Sequence, residues 1–235
     1  MRRIRVATFN ILHGVLADGS GRVDENELMR SAASLRADVL ALQEVDVGVT
    51  RSGRTDQSAV VAAALGMQVA FGRTSRIGLV GRFGNALLVR GAISDVEVRP
   101  MRRSSWRHTP RGMLLATATV GGTPPASVTV AVAHLSVRRP EVFVQLEEVL
   151  DALVARAAGR PCLLLGDLNL NASELAPVEA AGLTVADATL PTFPRAAPRA
   201  RIDHIAVGGL EVEAVEVVAT ATSDHCALVA DVNAG

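Results

Sequence analysis

Short apolar segments recur along the whole chain, and this distribution is the feature that most limits its possible folds. The segments are rich in Val, Ile, Leu, Thr and Ala, and most end at Gly, Asn, Asp or Arg clusters, as β-strands do. They cover residues 5–12, 39–43, 85–89, 113–120, 127–135, 161–165, 202–207, 212–219 and 226–232. Between some of them, residues 24–36, 56–65 and 140–158 carry apolar side chains at helical spacing. Strands and helices alternate early, and strands run almost consecutively later. This order favours mixed sheets with covering helices over an all-parallel doubly wound sheet.

Gly-rich segments punctuate this pattern. Residues 19–21, 81–84 and 208–209 are predicted to form turns, because glycine tolerates the backbone angles that tight turns need. No stretch has the composition of an interdomain linker, so a single domain over residues 1–235 is expected.

Composition narrows the class of protein. The chain has 235 residues, of which 49% are hydrophobic, which is enough for a sizeable core and excludes a disordered protein. No apolar run is long enough to span a membrane, and no apolar signal region follows the basic start. Cys162 and Cys226 lie in apolar stretches without the spacing of a metal site. A reduced, cytoplasmic, monomeric protein is expected.

The charge balance bears on possible partners. The chain has 24 basic residues, all of them Arg, and 24 acidic residues, so its net charge is zero. Proteins that bind mainly the backbone of nucleic acids usually have a basic excess. The balance does not forbid nucleic acid, but it removes the usual support for it.

Polar side chains of a few chemical types stand where the apolar strands end. Burying one such group without partners costs about 1–3 kcal/mol, and a single case is most often a turn former or cap. The set comprises Asn10, Glu44, His134, Asp167 with Asn169, Asp203 with His204, and Asp224 with His225. If the strand ends converge, these groups form one pocket rich in carboxylates and imidazoles. Such a pocket suits a hard divalent cation and phosphate chemistry.

The same residues carry a resemblance to a known family. The motifs occur in family order and are Thr8-Phe9-Asn10-Ile11, Leu42-Gln43-Glu44-Val45, Gly84-Asn85-Ala86, Ala133-His134-Leu135, Gly166-Asp167-Leu168-Asn169, Arg201-Ile202-Asp203-His204 and Ser223-Asp224-His225. From residue 4 to 231 the chain resembles the endonuclease/exonuclease/phosphatase superfamily. The resemblance implies an α/β fold, a four-layer α/β/β/α sandwich of two mixed sheets flanked by helices. It also implies divalent-metal-dependent cleavage of phosphate esters at one rim. Known members hydrolyse DNA, RNA tails, inositol phosphates, sphingomyelin and small phosphate diesters.

The resemblance assigns a metal site. Glu44, Asn10 and Asp224 would hold Mg²⁺ or Mn²⁺, the amide of Asn10 acting through its oxygen on the metal or its water. Leu12 stands where some members carry an acidic residue, so one principal metal is expected.

Catalytic roles follow from the same resemblance. Asp167 would orient or deprotonate the attacking water, and Asn169 would position water and phosphate. His225 would contact the scissile phosphate, held cationic by Asp203. Whether Asp167 or His225 is the base stays open. His134 is expected to hydrogen-bond the phosphate, and a histidine here favours the phosphatase and phosphodiesterase branches. His204 should point to the opposite face of its strand and be structural.

Substrate choice rests on weaker signals. Asn85, Arg51 and Arg111 are expected to bind substrate, because Arg pairs with phosphate oxygens in a bidentate manner. Trp106, amid the arginines of residues 102–111, could stack on a base, insert into lipid or anchor its loop. The first hypothesis is a phosphodiesterase or phosphatase acting on a small or lipid-borne phosphate ester. The alternative is an endonuclease or exonuclease acting on DNA or RNA, and a third is an inactive binding module.

Overall fold

The computed structural model describes residues 2–122, 125–187 and 189–234. It contains two six-stranded sheets with strand orders β11-β12-β1-β2-β4-β3 and β5-β6-β7-β8-β10-β9. The strands are β1 Arg2–Asn10, β2 Val39–Val47, β3 Gln68–Ile77, β4 Gly81–Val89, β5 Gly91–Pro100, β6 Gly112–Val120, β7 Ala126–His134, β8 Cys162–Asp167, β9 Thr184–Val185, β10 Asp203–Gly208, β11 Glu211–Val218 and β12 Ala227–Ala234. The helices are α1 Glu25–Ser34, α2 Gln57–Leu65, α3 Glu141–Ala157 and α4 Ala176–Ala180.

Three apolar clusters separate four layers. The central cluster lies between the two sheets and includes Val6, Val130 and Leu165. A second cluster joins the first sheet to α1 and α2, and a third joins the second sheet to α3 and α4. Within each sheet one strand pair is parallel, β1 with β2 and β7 with β8, and the others are antiparallel. The predicted four-layer sandwich of mixed sheets is therefore confirmed.

Local sequence explains where the helices begin and end. The carboxylates of Asp24 and Asp56 accept the backbone N–H groups of Glu27 and Ala59, which caps α1 and α2. At the other end of α2, Gly66 adopts the left-handed conformation that commonly stops a helix.

The predicted turn at residues 81–84 is wrong, because these residues begin β4. The turn lies just before them, at Gly78, whose φ is +62°. Gly84 is needed for a different reason: a Cβ there would lie 2.0 Å from the carbonyl oxygen of Gly72 on β3. The glycine allows two backbones to approach, which is a common reason for glycine inside a strand.

Glu44 does not end its strand, contrary to expectation. β2 continues to Val47, and its pairing with β4 shifts register between Leu42 and Val45. Gln43 and Glu44 therefore stand opposite Asn85 alone, as in a β-bulge. The backbone of Glu44 has a φ of +58°, which re-aims its side chain. Leu42 and Val45 still face the same apolar cluster on either side of the bulge.

Two further observations concern the cysteines and the helices. Cys162 and Cys226 are both buried free thiols. None of the helices in the described part of the chain is long and apolar enough to cross a membrane.

Candidate active site

Strand register aligns three of the predicted catalytic side chains in one row. The parallel pairing of β7 with β8 places His134 directly beside Asp167. The antiparallel pairing of β8 with β10 places Asp167 directly opposite Asp203. Directly paired residues project from the same face of a sheet. The row His134–Asp167–Asp203 therefore forms one rim of the second sheet, and all three side chains are buried.

The first sheet contributes the opposing rim. Asn10 ends β1 beside Gln43 of β2, next to the bulge that carries Glu44. The Nδ2 atom of Asn10 donates to Oδ2 of Asp167 at 3.1 Å and lies 3.4 Å from Oε1 of Glu44. One amide thus joins the Glu44 carboxylate of the first sheet to the Asp167 carboxylate of the second.

The loop between β11 and β12 brings His225 to this junction. Its Nδ1 is hydrogen-bonded to Oδ2 of Asp203 at 2.9 Å, and its Nε2 lies 3.8 Å from Oδ2 of Asp167. Ser223, which has a φ of +74°, donates from Oγ to the carbonyl of Asn10 at 2.5 Å. The Oγ atom of Ser223 also accepts a hydrogen bond from the backbone N–H of His225 at 3.0 Å. Ser223 therefore fixes His225 relative to Asn10.

Sequence reasoning assigned no role to Ser223 or Phe193. The ring of Phe193 packs on that of His225 with centroids 4.8 Å apart. The Ser-Asp-His motif gave a signal for Ser223. Nothing in the sequence around Phe193 indicates that its ring contacts His225, because the two residues lie far apart in the chain.

Burial and charge set the protonation of the central pair. Burial, reinforced by the neighbouring Asp203, raises the pKa of Asp167 to about 7. Burial alone would lower the pKa of His225, but the charges of Asp203, Asp167 and Asp224 outweigh it and raise the pKa to about 9. Near neutral pH the imidazole is therefore cationic, and the Asp167 carboxyl titrates.

His134 has the opposite character. Its Nε2 lies 3.4 Å from Oδ2 of Asp167, and burial, with the charges of Arg111 and His225, holds its pKa well below the ordinary value. It is therefore neutral, and it can offer an N–H without bringing a full charge.

Asn169 closes the turn after β8. Its backbone N–H donates to Oδ1 of Asp167 at 3.1 Å, which is an Asx turn. Its Nδ2 donates to the carbonyl of Leu135 at 3.0 Å. The structural and functional interpretations of this residue are compatible.

The donors around Glu44 fit a hard divalent cation. Burial raises the pKa of Glu44, and its hydrogen bond from Asn10 is long at 3.4 Å, so a cation beside it would relieve the cost of its charge. The Oδ1 atom of Asn10 accepts the backbone N–H of Leu12 at 3.1 Å and keeps a second lone pair. Asp224 is exposed, and its Oδ1 lies 4.0 Å from Nε2 of His225. Oxygen donors of this kind suit Mg²⁺ or Mn²⁺.

A second group of possible ligands is more deeply buried. One ligand atom from each of Asp167, Asp203 and His225 lies within 4.8 Å of the others. In this group the Asp203–His225 hydrogen bond already occupies Nδ1 of the imidazole. A cation there would have to share these residues with the acid–base pair, so the Glu44 arrangement fits better.

The three predicted substrate-binding residues occupy different surroundings. Asn85 is buried, and its Nδ2 donates to the carbonyl of Gly112 on the other sheet at 3.0 Å. Arg111 precedes Gly112, and burial lowers its pKa while the charges of Asp167 and Glu44 oppose this change. Arg51 binds the buried Asp46 through Nε and Nη2 at 2.8 and 2.9 Å, so the two N–H groups of Nη1 and the second N–H of Nη2 are left for substrate. Its role in substrate binding stays a prediction.

His204 lies outside this row. Its Nε2 is 2.8 Å from the carbonyl of Leu170, and burial lowers its pKa to about 4. A buried neutral histidine bound to backbone is in keeping with a structural role.

Two mixed sheets whose facing rims hold buried carboxylates and imidazoles define the class: an α/β-sandwich hydrolase of phosphate esters. A sequence model of the endonuclease/exonuclease/phosphatase family matches residues 7–225, and the chain belongs to this family. Its members are phosphoesterase hydrolases.

Solved structures show the same fold. A protein of Beutenbergia cavernae DSM 12333, described as an endonuclease/exonuclease/phosphatase, is 23% identical with a TM-score of 0.79, over 100% of this chain and 72% of that chain. A Bacteroides vulgatus protein of the same description is 16% identical with a TM-score of 0.77, over 100% of both chains. Truncated TDP2 of Caenorhabditis elegans is 20% identical with a TM-score of 0.72, over 98% of this chain and 97% of that chain. No protein of curated function matches the sequence.

Proposed function

We propose that this protein is a divalent-metal-dependent phosphoesterase that hydrolyses a small or lipid-borne phosphate ester by in-line attack of water. The observation that carries the proposal is the bridge made by Asn10 between Glu44 and Asp167. It sets a carboxylate suited to a metal and a carboxyl suited to proton transfer at one junction of the two sheets. A phosphate at this junction would meet both groups.

The metal site would consist of Glu44, Asn10 and Asp224, with Mg²⁺ or Mn²⁺ as the cation. When bound, such an ion neutralises charge on phosphate oxygens and eases departure of the leaving oxygen.

The chain's own residues would divide the remaining work. With a pKa near neutrality, Asp167 can accept a proton from the attacking water at Oδ2, and Asn169 keeps its other oxygen oriented. Cationic His225 would stabilise the negative charge that develops on the phosphoryl oxygens. His134 would donate a neutral hydrogen bond to the phosphate, and Arg111 would add a positive charge at the edge of the site. This division favours Asp167 over His225 as the base.

The test is a hydrolysis screen of the purified protein. Substrates are bis(p-nitrophenyl) phosphate, p-nitrophenyl phosphate, inositol phosphates, nucleotides, choline and inositol phospholipids, plasmid DNA and RNA. Each is assayed with Mg²⁺, Mn²⁺ or Ca²⁺ and with chelator, and Asp167→Asn serves as the control for contaminating enzymes. Metal-dependent turnover of a small or lipid ester that Asp167→Asn lacks would support the proposal. Turnover unaffected by chelator would contradict it.

A nuclease is the second candidate, and one observation favours it. Trp106 is 76% exposed, and the guanidinium of Arg107 lies over its ring at 5.3 Å. An exposed indole with adjacent cations can stack on a base of single-stranded nucleic acid. The same screen separates the two candidates. If Trp106→Ala reduces cleavage of oligonucleotides but leaves hydrolysis of small esters unchanged, the nuclease is favoured. The single domain, the monomeric state and the cytoplasmic location stay predictions.

A further inference from the structure

The turn between β3 and β4 exposes two aliphatic side chains at its tip. Leu79 is 97% exposed and Val80 is 81% exposed, the highest values among the exposed large hydrophobic residues described. They follow Gly78 in the three-residue turn of an edge hairpin of the first sheet. Side chains this exposed gain little from burial in the isolated domain, and adjacent exposed apolar side chains rimmed by polar residues can form a contact site.

Arginines surround this tip. Arg76 on β3 stands directly opposite Arg82 on β4, and like charges in directly opposed positions destabilise a strand pair. Arg54 and Arg73 are also exposed nearby. Within the described residues, none of these four guanidinium groups has a carboxylate within the distance of an ion pair. The guanidinium of Arg82 lies over the ring of Phe71, 5.9 Å from its centroid, which leaves its charge unneutralised. We call Arg76, Leu79, Val80 and Arg82 the hairpin tip surface.

We propose that the hairpin tip surface docks the protein onto an anionic lipid membrane. Two aliphatic side chains would enter the boundary between headgroups and acyl chains, while the arginines stay at the headgroup level and pair with lipid phosphates. An anionic membrane therefore offers a contact for both kinds of side chain, with acyl chains for the aliphatic pair and phosphates for the arginines. Lipid phosphates would also neutralise the like charges of Arg76 and Arg82, which occupy opposed positions on β3 and β4.

Other occupants fit less well. A nucleic-acid backbone would match the arginines but would leave Leu79 and Val80 in water. The neighbouring Phe71 and Phe83 are only partly exposed, and arginine guanidinium groups already lie over their rings, so neither offers a free face to a base. A second copy of the chain would match the aliphatic side chains. In a symmetric dimer, however, the same patch faces itself, so the arginines of both copies would be brought together.

The hairpin tip lies toward the same edge of the first sheet as the proposed active site. Asn85 faces the bulge that carries Glu44, and β4 begins four residues earlier at Gly81, which is a span of roughly 13 Å at about 3.3 Å per residue. β2 runs alongside, with Val47 paired to Arg82. A membrane bound at the tip would therefore lie near the rim of the site. The docking itself does not depend on the proposed catalytic function, but it would deliver the lipid-borne class of substrate to that site.

The test is sedimentation of the full chain with vesicles, without any measurement of turnover. Vesicles of phosphatidylcholine alone are compared with vesicles that contain about 30% phosphatidylserine, a composition that attracts basic surfaces. Removing both cations in Arg76→Ser/Arg82→Ser should weaken partitioning by about 10- to 30-fold. Leu79→Ser/Val80→Ser should weaken it by on the order of tenfold. Arg90→Ser and Val69→Ser, at the other end of the same hairpin, are the matched controls and should bind as the wild type does.

Three outcomes would overturn the proposal. The first is no preference of the wild type for anionic vesicles. The second is binding that the hairpin variants and the control variants share equally. The third is a hairpin-dependent interaction with another partner, seen as oligonucleotide binding that Arg76→Ser/Arg82→Ser removes or as self-association that Leu79→Ser/Val80→Ser removes. Because no substrate is turned over, an inactive enzyme would leave this test intact, and a failed test would leave the proposed hydrolysis standing.

Discussion

Asp167 and Asp203 stand directly opposite each other on adjacent antiparallel strands, both buried. Two carboxylates in such positions repel each other, and here His225 offsets the repulsion. It is hydrogen-bonded to Asp203 at 2.9 Å and has its other nitrogen 3.8 Å from Asp167. The result is one group that holds a proton above neutral pH and one that releases a proton near it, set side by side. Such a divergence of pKa values is a common mark of acid–base assignments in enzymes.

Glu44→Gln should weaken binding of Mg²⁺ or Mn²⁺ by at least about tenfold and leave the fold intact, because it removes the ionised oxygen that best suits a hard cation. Calorimetric titration with each ion measures the affinity, and circular dichroism checks the fold. Glu147→Gln, an exposed carboxylate on α3, is the matched control. If Asp203→Asn abolishes metal binding and Glu44→Gln does not, the cation belongs in the buried Asp167–Asp203–His225 group instead.

Asp167→Asn and His225→Ala should each lower kcat by on the order of 10²–10⁴, which is the usual effect of removing one acid–base or electrostatic group. KM should change little, because both groups act mainly in the transition state. The double variant should lose little more than either single variant, since both act on the same water and phosphate. Steady-state kinetics on the best substrate measures this. A single variant that retains more than about a tenth of wild-type kcat, with chemistry limiting turnover, would disprove the role given to that residue.

Arg111→Ala should reduce kcat/KM on a small phosphate ester more than Arg102→Ala does. Arg111 lies near enough to Asp167 and Glu44 for their charges to affect its pKa, whereas the Arg102 side chain is 79% exposed and pairs with Glu148. On an oligonucleotide we expect a shallow salt dependence, equivalent to about one to three phosphate contacts. A steep slope, with Arg102→Ala and Arg107→Ala both abolishing oligonucleotide cleavage, would favour the nuclease.

Stability at acidic pH should depend on Glu141 at the start of α3. Burial would raise its pKa, but hydrogen bonds from Ser104 and His108 lower the pKa to about 2. The ionised form is therefore favoured in the folded state, and its contribution to stability is present above the unfolded pKa of about 4.3. It is lost as pH falls from there toward 2. Urea unfolding between pH 7 and 3 should show the difference between wild type and Glu141→Gln shrinking with acidity. A constant difference would contradict this account.

Gly166→Ala should destabilise the protein by about 1–3 kcal/mol, the usual cost of forced overpacking. A Cβ at this position would lie 2.0 Å from the carbonyl oxygen of Ala133, so β7 and β8 would have to separate beside His134 and Asp167. Gly121→Ala is the control, because, apart from Gly121 and its two chain neighbours, no heavy atom of residues 2–122, 125–187 and 189–234 lies within 4 Å of its Cβ position. Thermal unfolding of both variants tests this, and equal effects would show that the close approach is relaxed at little cost.

The sequence predicted the buried strands well, because their apolar runs are continuous. It missed β3 and β5, which have exposed faces and mix Arg, Glu, Ser and Gly with their apolar residues. It also missed the two-residue β9 and the single-turn helix α4. In these elements the sequence is too polar or too short for apolar periodicity to indicate a strand or a helix.

The candidate site residues could be predicted from the sequence because their chemistry is concentrated in short motifs. Their mutual arrangement could not, since it depends on register across strands that are far apart in the chain. The row of His134, Asp167 and Asp203 is set by ladder pairing. The bulge at Gln43 and Glu44 leaves no periodic signal, because Leu42 and Val45 are apolar in either register.

The bulge in β2 separates the residues that the fold needs from the proposed metal ligand Glu44. Leu42 and Val45 face the same apolar layer across it, so the layer needs only one of the two intervening residues. Gln43 meets the structural need through its hydrogen bonds to Thr8. Glu44 is the supernumerary residue, and its deletion would leave the strand in phase with its neighbours. Loss of Glu44 from this sandwich would therefore remove the proposed metal ligand and leave the fold in place.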